Sequence, residues 1–269
     1  MDQVMTPRLS IVTINLNNAA GLKKTVDSVS RQNRADIEYI VIDGGSSDAS
    51  VDILRQRDAD IDVWVSERDT GIYGAMNKGI ALAHGEFISF MNSGDAFFPA
   101  ALEQLFDRYD EWKGYDVVYG DIMNATRSQI ERAENPSRIF RDMPFRHQAV
   151  IVRTELQKRF PFDTSYRVAA DYDFMLRVYL EGHRFLPTGI CLGEYDAGGI
   201  SNNQYFRTIG EYSRILWKRH QGARRVSRVT GYLWEKRKFM AYLLAKRFLG
   251  DANYSAVMGR LKRAPVGGR

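Results

Sequence analysis

Gly85-Glu86-Phe87-Ile88-Ser89-Phe90-Met91-Asn92-Ser93-Gly94-Asp95 joins a short apolar run, Phe87 to Met91, to an abrupt polar ending. A run this short and this apolar reads as a buried strand of a parallel sheet. The four residues behind it are turn formers, and the last of them brings a lone carboxylate. In open α/β sheets ligands bind beyond the carboxyl ends of the strands, so Asp95 is expected to face a crevice. A carboxylate there can hold a hard divalent cation, and such a cation can hold a diphosphate. Taken alone, these four residues favour a plainer role, in which Asp95 caps the helix that follows Pro99 or closes a turn; the segments before and after change that.

Working outward, a strand with a polar end recurs upstream. Leu9 to Ile14 is apolar and β-branched and is closed by Asn15-Leu16-Asn17-Asn18; Ala19 to Gln32 then puts Leu22, Val26 and Val29 on one helical face. Ile37 to Ile42 ends in Asp43-Gly44-Gly45-Ser46-Ser47-Asp48, where Ser46, Ser47 or Asp48 can cap a helix running to about Arg57. Ile61 to Val65 leads through Ser66 to Gly71 into a helix from Ile72 to Ala83. Three strand–turn–helix units and a fourth strand predict a parallel sheet with right-handed crossovers. Neither G-x-G-x-x-G nor G-x-x-x-x-G-K-[ST] occurs, so a nucleotide bound here must be gripped by carboxylates and a metal rather than by a glycine cradle.

Downstream the pattern loosens. A helix through Leu105 and Tyr109 is followed by a strand, Tyr115 to Asp121, with another acidic end. Residues 122–146 are polar and irregular, as suits a variable flap over an acceptor. Phe145 to Arg153 reads as a strand with His147 and Gln148 at its start, and Val168 to Leu180 as a helix opened by Asp171 and Asp173. Acidic residues favour a helix N-terminus on dipole and capping grounds alone, so a structural role for both stands beside a chemical one. Arg184–Ile190 and Gly193–Tyr195 read as short strands, and Gly198 to Asn202 as a turn.

With 269 residues, 44% hydrophobic and 26% charged, the chain is an ordinary globular one. Its one cysteine, Cys191, excludes an internal disulfide framework and a Cys-rich zinc site; apolar neighbours make it a plain buried thiol. The first residues lack a basic start followed by an apolar stretch, so no secretory signal is expected. Charge is unevenly spread: residues 203–269 carry 16 Lys and Arg against 3 Asp and Glu, leaving residues 1–202 at −8 within a whole-chain +5. The tail is expected to be helical in pieces, Tyr205 to His220, Thr230 to Leu249 and a short third, with aromatics interleaved among Arg and Lys. Such helices fit an anionic membrane surface, or plain packing with a solvated basic face. Nucleic acid is the least attractive partner, because the body is acidic.

The motifs Ser10 to Asn17, Val41 to Asp48, Asp69-Thr70-Gly71-Ile72-Tyr73, Ala75-Met76-Asn77-Lys78-Gly79, Gly85 to Ile88 and Asn92 to Asp95, in this order, resemble family 2 glycosyltransferases of the GT-A fold. The likeness covers about residues 8–200 and is similar to the bacterial branch that builds extracellular polysaccharide of the colanic-acid type. It implies an α/β GT-A domain at 1–202, with a nucleotide-binding half at 1–99 and an acceptor and catalytic half at 100–202, followed by a basic helical extension at 203–269. It implies that Asp43 contacts the nucleobase and that Asn15, Asn17, Asp69, Asn77 and Lys78 serve the nucleotide. Asp95 would bind Mg2+ or Mn2+, and Asp171 would be the catalytic base, with Asp173 its nearest substitute.

His147, Gln148 and Asp173 are further candidates for the acceptor, the phosphates or the metal, although a lone histidine is more often a satisfied polar residue. The implied reaction is an inverting hexosyl transfer from a UDP- or GDP-sugar to a hydroxyl of a glycan or polyprenyl-linked acceptor, in the cytoplasm at the inner face of the cell membrane.

Four departures from the family pattern stand in the chain. Ser93 replaces the first acid of D-x-D, Ala170 precedes Asp171 where a glutamate is usual, Ile14-Asn15-Leu16-Asn17 replaces Pro-Thr-Tyr-Asn, and Met76 takes the place of a common arginine. These thinned motifs keep a non-catalytic nucleotide-sugar-binding module in play. A nucleotidyltransferase is the other alternative, although Asn15 to Gly21 is not the Gly-rich basic loop such enzymes carry.

Overall fold

Strands β1 (Leu9–Asn15) and β2 (Ile37–Asp43) are buried almost throughout, as strands covered on both faces must be. The computed structural model describes residues 6–32, 36–195, 204–237 and 240. β3 (Val63–Ser66) is half-buried at the sheet edge, and β4 (Phe87–Phe90) is wholly buried. These four run parallel in the order β3-β2-β1-β4. Helices α1 (Ala19–Ser30), α2 (Ser50–Gln56) and α3 (Ile72–Leu82) connect them, so the expected alternation is what the chain forms. α3 lies hard against β1: a Cβ on Gly79 would come within 2.4 Å of Val12 Cγ1, which is why that helix position carries no side chain.

Beyond β4 the sheet changes direction. β8 (Val150–Arg153) pairs antiparallel with both β4 and β6 (Val117–Asn124), while β9 (Phe185–Tyr195) runs parallel to β6. β5 (Ala96–Phe97) and β7 (Gln129–Glu131) add antiparallel edges to β9 and β6. The result is a mixed sheet with a parallel half, and its direction reverses directly beside Asp95. Helices α4 (Ala101–Phe106), α5 (Tyr109–Trp112), α6 (Thr154–Arg159), α7 (Ala170–Leu180) and α8 (Tyr205–Arg219) complete the chain order. Contacts divide the chain into two units, Met1–Tyr212 and Ser213–Arg269.

Several local expectations are corrected. The helix through Leu105 and Tyr109 is broken in two, which lets buried Trp112 donate its Nε1–H to Leu105 O at 2.8 Å. Asp121 is not a strand end: β6 continues to Asn124, and Asp121 is buried against Arg132 and the Ala133 N–H. Part of the expected flap is structured, since β7 joins the sheet and a 3-10 turn, Pro136–Phe140, buries Ile139, whose carbonyl accepts from Tyr172 Oη at 2.8 Å. His147–Ala149 form a 3-10 turn ahead of β8 rather than the strand itself. Residues 185–195 make one strand, with a register shift around Asp121 absorbing the irregularity.

No side chain caps α2; Asp48 instead accepts from the Ala19 and Ser50 N–H groups. The second tail helix starts at 222, not 230. The turn at Gly198 to Asn202, the remainder of that helix to Leu249 and the third tail piece lie outside the described residues. Cys191 is half-buried, and burial pushes its thiol up.

Candidate active site

The parallel register sets three polar strand ends side by side: Asn15 opposite Asp43, and Asp43 opposite Ser66. Asp43 is fully buried. Its Oδ1 accepts from Asn15 Nδ2 (2.8 Å) and Ser46 Oγ (2.6 Å), and its Oδ2 from Ser46 N (2.9 Å) and Ser66 Oγ (2.7 Å). Burial alone would raise this carboxyl; the bonds from Ser46, Ser66 and Asn15 outweigh it and hold the group below its ordinary range. Asp43 therefore acts within the chain as the knot of three strand ends. From the sequence Ser46 reads as one of three candidate helix caps and Ser66 only as the start of a turn, so neither signals a partner for Asp43.

The loop after β1 stitches both neighbours together. Asn17, at a left-handed φ of 50°, accepts from Ser47 N at 2.8 Å through Oδ1. Asn18 Nδ2 donates to Ser93 O at 3.1 Å, joining this loop to the one that carries Asp95. Asp69 accepts from Gly71 N at 2.7 Å, and its other oxygen lies over Gly44, within 2.5 Å of where a Cβ would stand. Leu16, 57% exposed, borders the same glycine and offers an apolar surface. Lys78 Nζ donates to Glu67 Oε1 (2.7 Å) and Arg68 O (3.0 Å). Asn77 is turned elsewhere: its amide donates to Phe162 O (2.9 Å) and accepts from Phe162 N (3.0 Å), clamping α3 to the segment before α7.

Asp95 caps no helix. The N-cap of α4 is Ala100, which has no side-chain bond, and Asp95 Oδ2 instead accepts from Gln148 Nε2 at 2.9 Å. The neighbouring His147 stacks on Phe90 (5.3 Å, 25°), and its Nε2 is out of solvent without a hydrogen-bond partner. Burial lowers its pKa against the pull of the Asp171 charge, so the ring is neutral. Asp171, partly exposed in the first turn of α7, accepts from Tyr73 Oη at 3.1 Å. Burial, and then Asp171 itself, push the Tyr73 phenol well above its ordinary value, so it stays a donor across the working pH range. Tyr73 lay in a quoted motif without a role, because its partner is 98 residues away.

Asp173 is not brought to the cleft. It is fully buried and ion-paired with Arg177 at 3.1 Å, on the side of the helix that structure uses. Contacts thus run from Asp43 through the β1 loop to Ser93 and Asp95 and on to Gln148; the neighbouring His147 feels the Asp171 charge, and Asp171 is held by Tyr73.

Among the described residues no three His, Cys, Asp or Glu side chains gather as a metal cage. A cation of the kind completed by substrate phosphates and water needs only one or two protein carboxylates. Asp95 fits that mode: a hard oxygen donor, partly exposed beyond β4, with its carboxylate oriented by Gln148.

A half-parallel sheet with polar strand ends, reversing direction beside a carboxylate, is the α/β architecture of this chain, and the comparisons assign it to the GT-A class. Residues 10–174 match the model of glycosyl transferase family 2, and the chain belongs to that family. It is 35% identical over 179 residues to a PGL/p-HBAD biosynthesis glycosyltransferase of Mycobacterium bovis, covering 64% of this chain and 70% of that protein. An uncharacterized glycosyltransferase of Mycobacterium tuberculosis is 34% identical over 259 residues, covering 88% and 93%. The first of these relatives is named for PGL/p-HBAD biosynthesis and neither for colanic acid, so the narrower colanic-acid likeness gives way to the family.

Among solved structures, S. aureus TarS 1-349 in complex with UDP-GlcNAc superimposes with a TM-score of 0.68 at 16% identity, covering 86% of this chain and 73% of that one. In a longer TarS structure the chain spans only 43% of the length. The mannosyltransferase PcManGT from Pyrobaculum calidifontis, in complex with GDP-Man and Mn2+, gives 0.65 at 15% identity, covering 96% and 80%. At these identities the likeness speaks for the fold.

Proposed function

We propose that this chain is an inverting hexosyltransferase that moves a sugar from a nucleotide-diphosphate sugar to a hydroxyl of a glycan or lipid-linked acceptor in glycoconjugate synthesis. The observation that carries the reading is the pairing of two carboxylates, Asp95 oriented by Gln148 and Asp171 held by Tyr73. A free hydroxyl is a poor nucleophile, and a positioned carboxylate that takes its proton contributes about 10²–10⁴-fold. Asp171 is that base, held through one oxygen by Tyr73. The acceptor oxygen attacks the anomeric carbon from the side opposite the leaving group, so the configuration inverts. Asp95 would hold a divalent cation, which when bound offsets the charge that develops on the diphosphate. Asn15, Asn17, Asp69 and Lys78 border the nucleotide end, with Asp43 keeping their loops in register and Leu16 offering the base an apolar surface.

The membrane face belongs to the same proposal. Trp217 and Trp234 are 50% and 65% exposed, with Arg225 and Arg237 stacked over their rings. Aromatic rings among cations suit an anionic lipid surface on the cytoplasmic side. No helix among the described residues is long and apolar enough to cross a membrane. Removing the chain from Gly231 onward is expected to weaken co-sedimentation with anionic vesicles; unchanged binding returns the tail to a packing role.

The decisive experiment incubates the protein with a panel of nucleotide sugars, beginning with the UDP-GlcNAc and GDP-Man that the structural relatives bind. Release of nucleoside diphosphate supports transfer. Consumption of added pyrophosphate to give a nucleoside triphosphate and a sugar 1-phosphate would make the protein a nucleotidyltransferase, and binding without turnover a non-catalytic module.

A further inference from the structure

Two buried polar atoms of the candidate site lack partners among the described residues: His147 Nε2 and Asn92 Oδ1. Folded chains rarely leave such atoms uncompensated, and a ligand is one of the standard explanations. The strand register relates the two. Met91 N donates to Val12 O at 3.0 Å and Ser93 N to Ile14 O at 3.1 Å, so the ladder with β1 continues past Phe90 and the backbone stays extended through Ser93. On an extended chain Asn92 projects to the same face as Phe90. That is the face on which His147 stacks. Met91, between them, points the other way into the core cluster under α1. The orphaned pair therefore shares one face at the carboxyl end of β4. Asp95 follows three residues on in the chain, and the Asp171 charge acts on the imidazole.

We propose that His147 Nε2 and Asn92 Oδ1 form a hydroxyl-binding subsite for the sugar ring of the donor, between the diphosphate end at Asp95 and the base Asp171. This rests on the reading that the cleft takes a nucleotide sugar. A hydroxyl is the fitting ligand because it both donates and accepts: Asn92 Oδ1 can only accept, while the neutral imidazole nitrogen donates or accepts according to its tautomer. An anionic group would be a poor occupant beside two carboxylates. Because the protein atoms are buried, a sugar lacking the hydroxyl would leave them unpaired, which makes the pair a determinant of which sugar is accepted.

The test compares UDP-GlcNAc with UDP, and GDP-Man with GDP, by calorimetry on the wild type, His147→Phe and Asn92→Leu. His147→Phe keeps a ring to stack on Phe90 and removes only the nitrogens. For the donor the protein uses, each variant is expected to weaken the nucleotide sugar about 10- to 100-fold while the nucleoside diphosphate stays within about twofold. In the wild type, the ring-nitrogen resonance of His147 is expected to shift with the nucleotide sugar and not with the diphosphate, a measurement that needs no variant to fold. Equal changes for sugar nucleotide and diphosphate, no change for either, or a resonance that moves equally with both would overturn the subsite alone. Absence of any nucleotide binding by the wild type would overturn the transferase reading, and the subsite with it.

Discussion

At the end of β2 the Asp43 carboxylate is fully buried and takes four hydrogen bonds from its own chain; at the start of α7 the Asp171 carboxylate is partly exposed and takes one. Both are aspartates at the cleft end of the sheet, and a motif reading treats them alike. The difference is in what remains unspent. Asp43 already accepts four bonds from Asn15, Ser46 and Ser66, so it contributes to the frame that holds two loops. Asp171 has one oxygen held by Tyr73 and no other bond among the described residues, which is the state a general base requires. A group's capacity for chemistry is thus read from its unsatisfied valence, not from its type.

Substitutions can break that comparison. The largest effect is expected for Asp171→Asn, which should lower transfer about 10²–10⁴-fold with donor affinity unchanged in calorimetry. Full activity in that variant would take the base role from Asp171. Asp95→Ala should cost about 10²-fold in transfer and abolish the dependence of nucleotide affinity on Mg2+ or Mn2+. Wild-type affinity that is the same with and without EDTA would count against a metal at Asp95.

Asp43→Asn should act on stability instead, by about 2–3 kcal/mol in urea unfolding, because it unpairs buried donors. The sign of the pH effect follows from the lowered pKa: the contribution of Asp43 is present above the ordinary carboxyl value of 3.8 and is lost as pH falls through its lower folded-state value. The wild type should therefore lose stability in acid more steeply than the variant. Smallest is Tyr73→Phe, which should reduce kcat about tenfold, the worth of one bond to a charged group, with KM unchanged and the pH profile of kcat displaced. A parallel fall in Tm and activity with an unmoved profile would make Tyr73 structural only.

The two ends differ also in how legible they were. Asp43, Asp95 and Asp171 stand out in the chain because each closes or opens an apolar segment. Asn77 looks like a nucleotide contact from its motif, yet both ends of its amide are spent on the backbone of Phe162, 85 residues on. Asp173 is as acidic as Asp171 and two residues away, and the turn of the helix buries it against Arg177. Gln148 carries no chemistry of its own in the sequence and gains a role only by meeting Asp95, 53 residues back. Tyr73 is the same case at the other carboxylate.

The alternation of apolar runs with polar endings was enough, by itself, to determine a sheet with a parallel half and to put carboxylates at its cleft end. Burial of a strand on both faces is a local requirement that leaves a continuous apolar run, and it is visible wherever the run occurs. Only the tertiary structure decided which carboxylate is saturated, which is open, and which polar atoms wait without a partner. Those are questions of pairing between residues tens of positions apart, and no local pattern records which distant donor a carboxylate will meet.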